Sequence, residues 1–265
     1  MFAKNIYYLL LIALNAENAK NFAAVSNYLL PTINYQLPTI NYFFYLYTMN
    51  NETIIEQTIA FVKQTLADAE GGHDWWHMYR VWQLSKHIAQ TEKVSTLVVE
   101  LGALLHDIAD SKFNGGDEEK GPELAADFLK KLGVDEYVII HVVQIIRNIS
   151  FKGGKEVRRF TSPELDVVQD ADRLDALGAI GIARTFNYGG YKNRELYNPE
   201  ILPDMNMTKE EYKNSTAPTL NHFYEKLLLL KDRMNTSTGR QLAEHRHEFM
   251  ERFLEEFYGE WNGEI

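Results

Sequence analysis

Residues 95–110, STLVVELGALLHDIAD, constrain the fold more than any other stretch of the chain. On a helical wheel Leu97, Leu101, Leu104, Leu105 and Ile108 form one apolar face, while Val99, Gly102 and Ala103 occupy the opposite side. A helix that is apolar nearly all round must be central and covered by other elements. His106, Asp107 and Asp110 fall within roughly a 100° arc at its end. Polar groups at the end of a buried helix need partners, because burying each one unpaired costs a few kcal/mol. Two partners fit the residue types: a metal ion, or the hydrogen bonds of an ordinary helix end.

What covers that helix is again helical. From Met49 onward the apolar residues recur at helical spacing, with no convincing period-2 runs, and the segments 52–68, 74–91, 119–132, 135–149, 162–187, 219–233 and 238–260 all read as helices. Ser162-Pro163-Glu164 is a cap, a first-turn proline and an acid in order, and Ser237 or Thr238 is a candidate cap for the last helix. Gly133, Gly153-Gly154 and Gly189-Gly190 are candidate stops. Residues 188–217 read as one long irregular loop. The expectation is an all-α bundle with a C-terminal helix pair.

The first 48 residues are unlike the rest. They carry only Lys4, Glu17 and Lys20 as charges and repeat LPTINY at 30–35 and 37–42. The apolar run 6–14 is too short to span a bilayer, which takes about 20 residues, and lacks the flanks of an export signal. We expect an extension over 1–48 outside the fold and a single domain over 49–265, 265 residues being enough for a substantial core. With no cysteine, disulfides, thiolate metal sites and thiol nucleophiles are excluded, which suits the cytoplasm. A net charge of −10 argues against nucleic acid and anionic membranes as partners. An anionic substrate would need a local basic cluster or a metal.

Two further stretches carry the chemistry. GGHDWWHMYRVW, 71–82, holds two histidines four apart, and QDADRLDALG, 169–178, holds Asp170, Asp172 and Asp175 on one helix. Asp172 lies on a stripe with Leu165, Val168, Ala176, Ala179 and Ala183, where small residues admit a neighbouring helix, and Asp170 points to the other side. Two imidazoles and two carboxylates drawn from these segments would suit a divalent ion such as Mn²⁺, Fe²⁺, Co²⁺, Ni²⁺ or Zn²⁺.

GGHDWWHMYRV, ELGALLHDIADSKF and VVQDADRLDALGAIGIAR, in this order and spacing, resemble the HD-domain metal-dependent phosphohydrolase superfamily, and most of all the small bacterial HD proteins with an HDWWH-type opening, some of which act as nucleotide pyrophosphohydrolases. The likeness runs from about Ile54 to Asn262. It implies His77, followed by Arg80-Val81, as the first metal ligand, His106 and Asp107 as the doublet, and Asp172 before Arg173 as the last, with Asp170 in reserve. Asp74 would cap the helix of His77, whose N-terminal place keeps the imidazole neutral. Asp110 stands where the superfamily often has a proton-handling acid, commonly the longer glutamate, and Asp107 takes part through the metal. His73 is a candidate general acid or phosphate donor, with Asp74 as its alternative.

Among Arg80, Lys112, Lys152, Lys155 and Arg173, all beside the motifs, Lys112 and Lys152 are the first choices to meet substrate oxygens, and Arg80 and Arg173 follow. Trp75 and Trp76 are open between packing and base stacking, and Trp82 is expected in the core. His141 reads as a satisfied interior histidine, and His245 and His247 as surface. The implied function is hydrolysis of a nucleoside triphosphate to monophosphate and pyrophosphate, with a divalent metal, Mn²⁺ favoured and Mg²⁺ among the alternatives. A phosphodiesterase or phosphomonoesterase on another small ester, and an inactive nucleotide-sensing module, are the competing readings. The expected partner is a small phosphate compound, and a homodimer is left open.

Overall fold

The computed structural model describes residues 50–67, 74–109, 117–149 and 160–265. Ten α-helices are found among them: α1 (Asn51–Thr65), α2 (Trp75–Ala89), α3 (Thr96–Leu105), α4 (Lys120–Lys131), α5 (Glu136–Asn148), α6 (Pro163–Asp175), α7 (Gly178–Tyr191), α8 (Lys209–Asn214), α9 (Asn221–Glu225) and α10 (Ser237–Asn262), with a 3-10 helix over Leu227–Arg233 between the last two. No strand occurs among the described residues, so the all-α expectation holds. Residues 51–265 make one compact unit. No described helix is long and apolar enough to cross a membrane.

The apolar helix is central, as its pattern requires. Val98, Val99 and Leu101 through Leu105 of α3 are all buried, and α3 packs against α1, α2, α5 and α6. A Cβ at Gly102 would stand 3.2 Å from Ile145 Cδ1, so the glycine lets α5 lie close along it. Across the bundle α2 packs on both α3 and α6, which brings the three motif-bearing helices together.

Local chemistry sets the helix ends. Ser162 accepts from Leu165 N at 3.1 Å with Pro163 opening α6, and Asp74 accepts from His77 N at 2.9 Å to cap α2. Gly133 ends α4 in a left-handed conformation, φ 69°. Other expectations need correcting. The last helix is capped by Thr236 rather than Ser237 or Thr238, and α7 runs through Gly189-Gly190, where Gly189 meets Thr219 too closely for any side chain. The single helix expected over 162–187 is two, because Gly178 adopts φ 70° and breaks it. The segment 219–233 divides likewise, and the long loop begins after Tyr191 and contains α8. Gly153-Gly154 lies outside the described residues.

His247 is buried on α10, with Nε2 3.2 Å from Glu251, rather than at the surface; His245 is exposed as expected. His141 is satisfied, its Nε2 2.8 Å from Ser162 Oγ. Trp82 is half-buried instead of fully in the core: its indole N–H donates to Glu100 at 2.8 Å and the Lys86 ammonium lies 4.8 Å from its ring. Trp75 is half-buried under Lys63, and Trp76 is exposed.

Candidate metal centre

His77, His106, Asp107 and Asp172 converge from three helix ends. His77 stands in the first turn of α2, where the Asp74 cap fixes its backbone. His106 follows the last residue of α3, and Asp172 projects from α6. The imidazoles of His77 and His106 are 5.2 Å apart between centroids, nearly perpendicular. His77, His106 and Asp107 each offer a ligand atom, all within 4.8 Å of one another, and Asp172 Oδ1 lies 3.6 Å from His77 Nε2 and 3.8 Å from His106 Nε2.

The ring nitrogens decide how these groups can act. His106 Nδ1–H donates to Ala103 O at 2.9 Å, so its tautomer leaves a lone pair on Nε2. That atom is buried and has no hydrogen-bond partner among the described residues, a costly state for a polar atom unless a ligand completes it. His77 is set the same way, its Nδ1–H donating to Asp175 Oδ2 at 2.8 Å, which directs Nε2 toward the same space. Burial lowers the His77 pKa from 6.5, more than the Asp175 bond raises it, so the ring is neutral. Two imidazoles presenting Nε2 beside two carboxylates make a donor set suited to a divalent cation, and a carboxylate behind one of them orients that ring and raises its basicity.

Asp175 is the residue that the sequence reading passed over. Its side chain is 2% exposed and receives, besides His77, Arg80 Nε at 2.6 Å, Arg80 Nη2 at 3.0 Å and Arg184 Nη1 at 2.6 Å. Burial raises its pKa, but the His77 bond, the Arg80 bonds and the Arg184 charge outweigh it and hold the carboxyl well below 3.8. The available signal was its spacing, three residues after Asp172 and so on a neighbouring face. Arg184 carried none, since the break at Gly178 is what returns it to Asp175.

The remaining expected residues divide. Arg80 reaches the site, but Nε and Nη2 of its guanidinium are engaged by Asp175 rather than turned outward for substrate. Arg173 points away: Nη1 donates to Arg233 O and lies 3.7 Å from Asp170. The reserve ligand Asp170 is excluded by its bonds, accepting from the backbone of Asn235 and Thr236 at 2.7–3.0 Å and from the Asn235 amide and Thr236 hydroxyl. It anchors the start of α10. His73, Asp110, Lys112, Lys152 and Lys155 lie outside the described residues.

The HD domain family matches residues 75–177, which contain all four candidate ligands. YpgQ of Bacillus subtilis, an uncharacterized protein, is 40% identical over 200 residues, 75% of this chain and 89% of that one. An HD-superfamily hydrolase structure from Bacillus thuringiensis superposes with a TM-score of 0.65 at 45% identity, covering 80% of this chain and 99% of that one. The structure of B. subtilis YpgQ in complex with ADP gives a TM-score of 0.63 at 33% identity, covering 80% and 97%. Paired Nε2 lone pairs, an HD doublet at a buried helix end and these relatives lead to one assignment: the chain belongs to the HD superfamily of metal-dependent phosphohydrolases.

Proposed function

We propose that the protein hydrolyses nucleoside triphosphates to monophosphate and pyrophosphate, with His77, His106, Asp107 and Asp172 holding a divalent ion, Mn²⁺ first among the candidates. The observation that carries the metal reading is the buried, unpartnered Nε2 of His106 beside the lone pair of His77 and the Asp172 carboxylate. Held there, such an ion would polarise a phosphoryl oxygen and would lower the pKa of a bound water toward neutrality. Asp175 locks His77 in the binding tautomer, and Arg80 and Arg184 hold Asp175 ionised. Asp110 takes the proton of the attacking water, His73 donates to the leaving pyrophosphate, and Lys112 and Lys152 neutralise substrate oxygens; the first role rests on the sequence resemblance and the other three on the residues' places beside the motifs. The nucleotide class takes support from the ADP complex of YpgQ. We place the working unit in 49–265, and a chain starting at Met49 is expected to retain full turnover.

Purified protein assayed with Mn²⁺, Mg²⁺, Co²⁺ or Ni²⁺ against nucleoside triphosphates, deoxynucleoside triphosphates, monophosphates and cyclic dinucleotides tests this. Pyrophosphate release from triphosphates is expected. Orthophosphate release alone would make the protein a monoesterase, cleavage of a cyclic dinucleotide would make it a phosphodiesterase, and metal retention without turnover would make it a sensor. His106→Ala and Asp107→Ala are expected to abolish metal binding; full activity in the latter would refute the site.

A further inference from the structure

The face of α7 that delivers Arg184 to the metal centre continues outward with two tyrosines. Tyr188 and Tyr191 follow Arg184 by four and seven residues, so they share its face about 6 Å and 10.5 Å further along the axis. The opposite face is occupied: Ile182 and Gly189 are buried, and Phe186 packs on Phe223, Phe253 and Phe257 of the C-terminal region. Tyr188 and Tyr191 are instead 49% and 60% exposed. Their rings lie 6.5 Å apart, tilted by 40°. Two cations attend them. The Lys192 ammonium is 5.7 Å and 4.9 Å from the two ring centres, and the Arg194 guanidinium is 5.7 Å from that of Tyr188.

Here exposed aromatic rings and cations coincide in a chain of net charge −10. The pattern fits a planar group that also carries negative charge. We infer that Tyr188 and Tyr191 form the base-stacking subsite of a nucleotide whose phosphates reach back to the metal centre. This deepens the proposed function and rests on its nucleotide reading. The axial offset from Arg184 is the length scale separating the phosphates of a nucleotide from its base. Rings stack on any base, whereas the exposed Lys192 can turn from the rings to phosphate or base carbonyl oxygens; Arg194 is held beside Tyr188 by its bond to Ser215 O. The subsite therefore selects for a nucleobase and against bare polyphosphate, without selecting one base.

The test measures binding as well as turnover. ADP and inorganic pyrophosphate are titrated calorimetrically against the full chain with Mn²⁺, for wild type, a Tyr188→Ala/Tyr191→Ala double variant and the matching Tyr→Phe double variant. The alanine pair is expected to weaken ADP by at least about fivefold, from the usual worth of stacking a base, and to leave pyrophosphate within about twofold. The phenylalanine pair, which keeps both rings, is expected to bind ADP like wild type. Both tyrosines are exposed, so the variants should fold, as circular dichroism will check. Equal ADP affinity in wild type and the alanine pair overturns the inference, as does wild-type binding of pyrophosphate without ADP, or an alanine pair whose sole change is loss of a dimer. ADP binding that depends on the rings, in a protein that splits no triphosphate, would retain the subsite and refute the proposed reaction.

Discussion

Replacing Asp175 by asparagine keeps the size of the side chain and removes the charge on which three groups converge. Asp175 accepts from His77, Arg80 and Arg184. An amide has one acceptor oxygen and would turn its NH₂ toward donors. Removing one member of a buried ion pair typically costs 3–5 kcal/mol because the partner is left uncompensated. Here the arginines are 29% and 27% exposed, so part of their charge can return to water and the lower end applies, about 3 kcal/mol. For a domain of this size that corresponds to a fall in Tm of roughly 6–12 °C. A second effect is separable from the first: without the carboxylate, the His77 tautomer is no longer fixed, and loss of such an orienting partner usually weakens metal binding 10- to 100-fold. Thermal unfolding without metal reads the first effect, and a Mn²⁺ titration at a temperature where the variant is folded reads the second. An Asp175→Asn protein with wild-type Mn²⁺ affinity would refute the orienting role, and one with unchanged Tm would refute the charge argument.

The other expectations are briefer. Asp172→Asn should lose metal affinity with little change in Tm, whereas Asp170→Asn should lose stability by several kcal/mol, the cost of leaving buried donors unsatisfied; metal titration and thermal melts separate them. Asp110→Ala should keep metal and lose rate, and loss of metal there would make it a ligand. Burial first, then Lys226 and Arg194, lower the His222 pKa to about 3, while its Nδ1 bonds Tyr212 Oη at 2.7 Å. The unfolded chain binds a proton below 6.5 that the folded protein refuses, so stability should fall as pH drops from 6.5 toward 3, by up to about 1.4 kcal/mol per pH unit. His222→Gln should flatten that slope in urea melts. Asp175, whose pKa is lowered on folding, contributes stability that is present above 3.8 and lost only below it.

Central burial of α3 was legible because its apolar residues leave no polar face, and the cap at Asp74 because aspartate directly precedes a helical pattern. The candidate ligand quartet followed from the resemblance carried by motif order, and the structure brings its members close to one another. Which aspartate of QDADRLD does what was not legible from spacing. Asp170 is decided by Asn235 and Thr236, some 65 residues away, and Asp175 by Arg80 and Arg184; such partners leave no mark on local periodicity. The division of 162–187 was hidden for a different reason. Leu, Ala and Ile around Gly178 continue a helical pattern, and one glycine inside such a run is usually tolerated at a cost of about 1 kcal/mol.

That single residue governs more than a helix boundary. In an uninterrupted helix, residue 184 would lie about 13.5 Å along the axis from residue 175, farther than an arginine side chain can span. The left-handed step at Gly178 folds the chain so that Arg184 donates to both the carboxylate and the backbone carbonyl of Asp175. Arg246 fills the space where a Cβ would stand, 3.0 Å from its Cγ, and donates to Leu174 O. A side chain at position 178 would thus be strained in its own backbone and displace Arg246. The turn is the hinge pin of the site: ligand helix and tyrosine-bearing helix are consecutive in the chain, yet meet at one point because this position has no side chain.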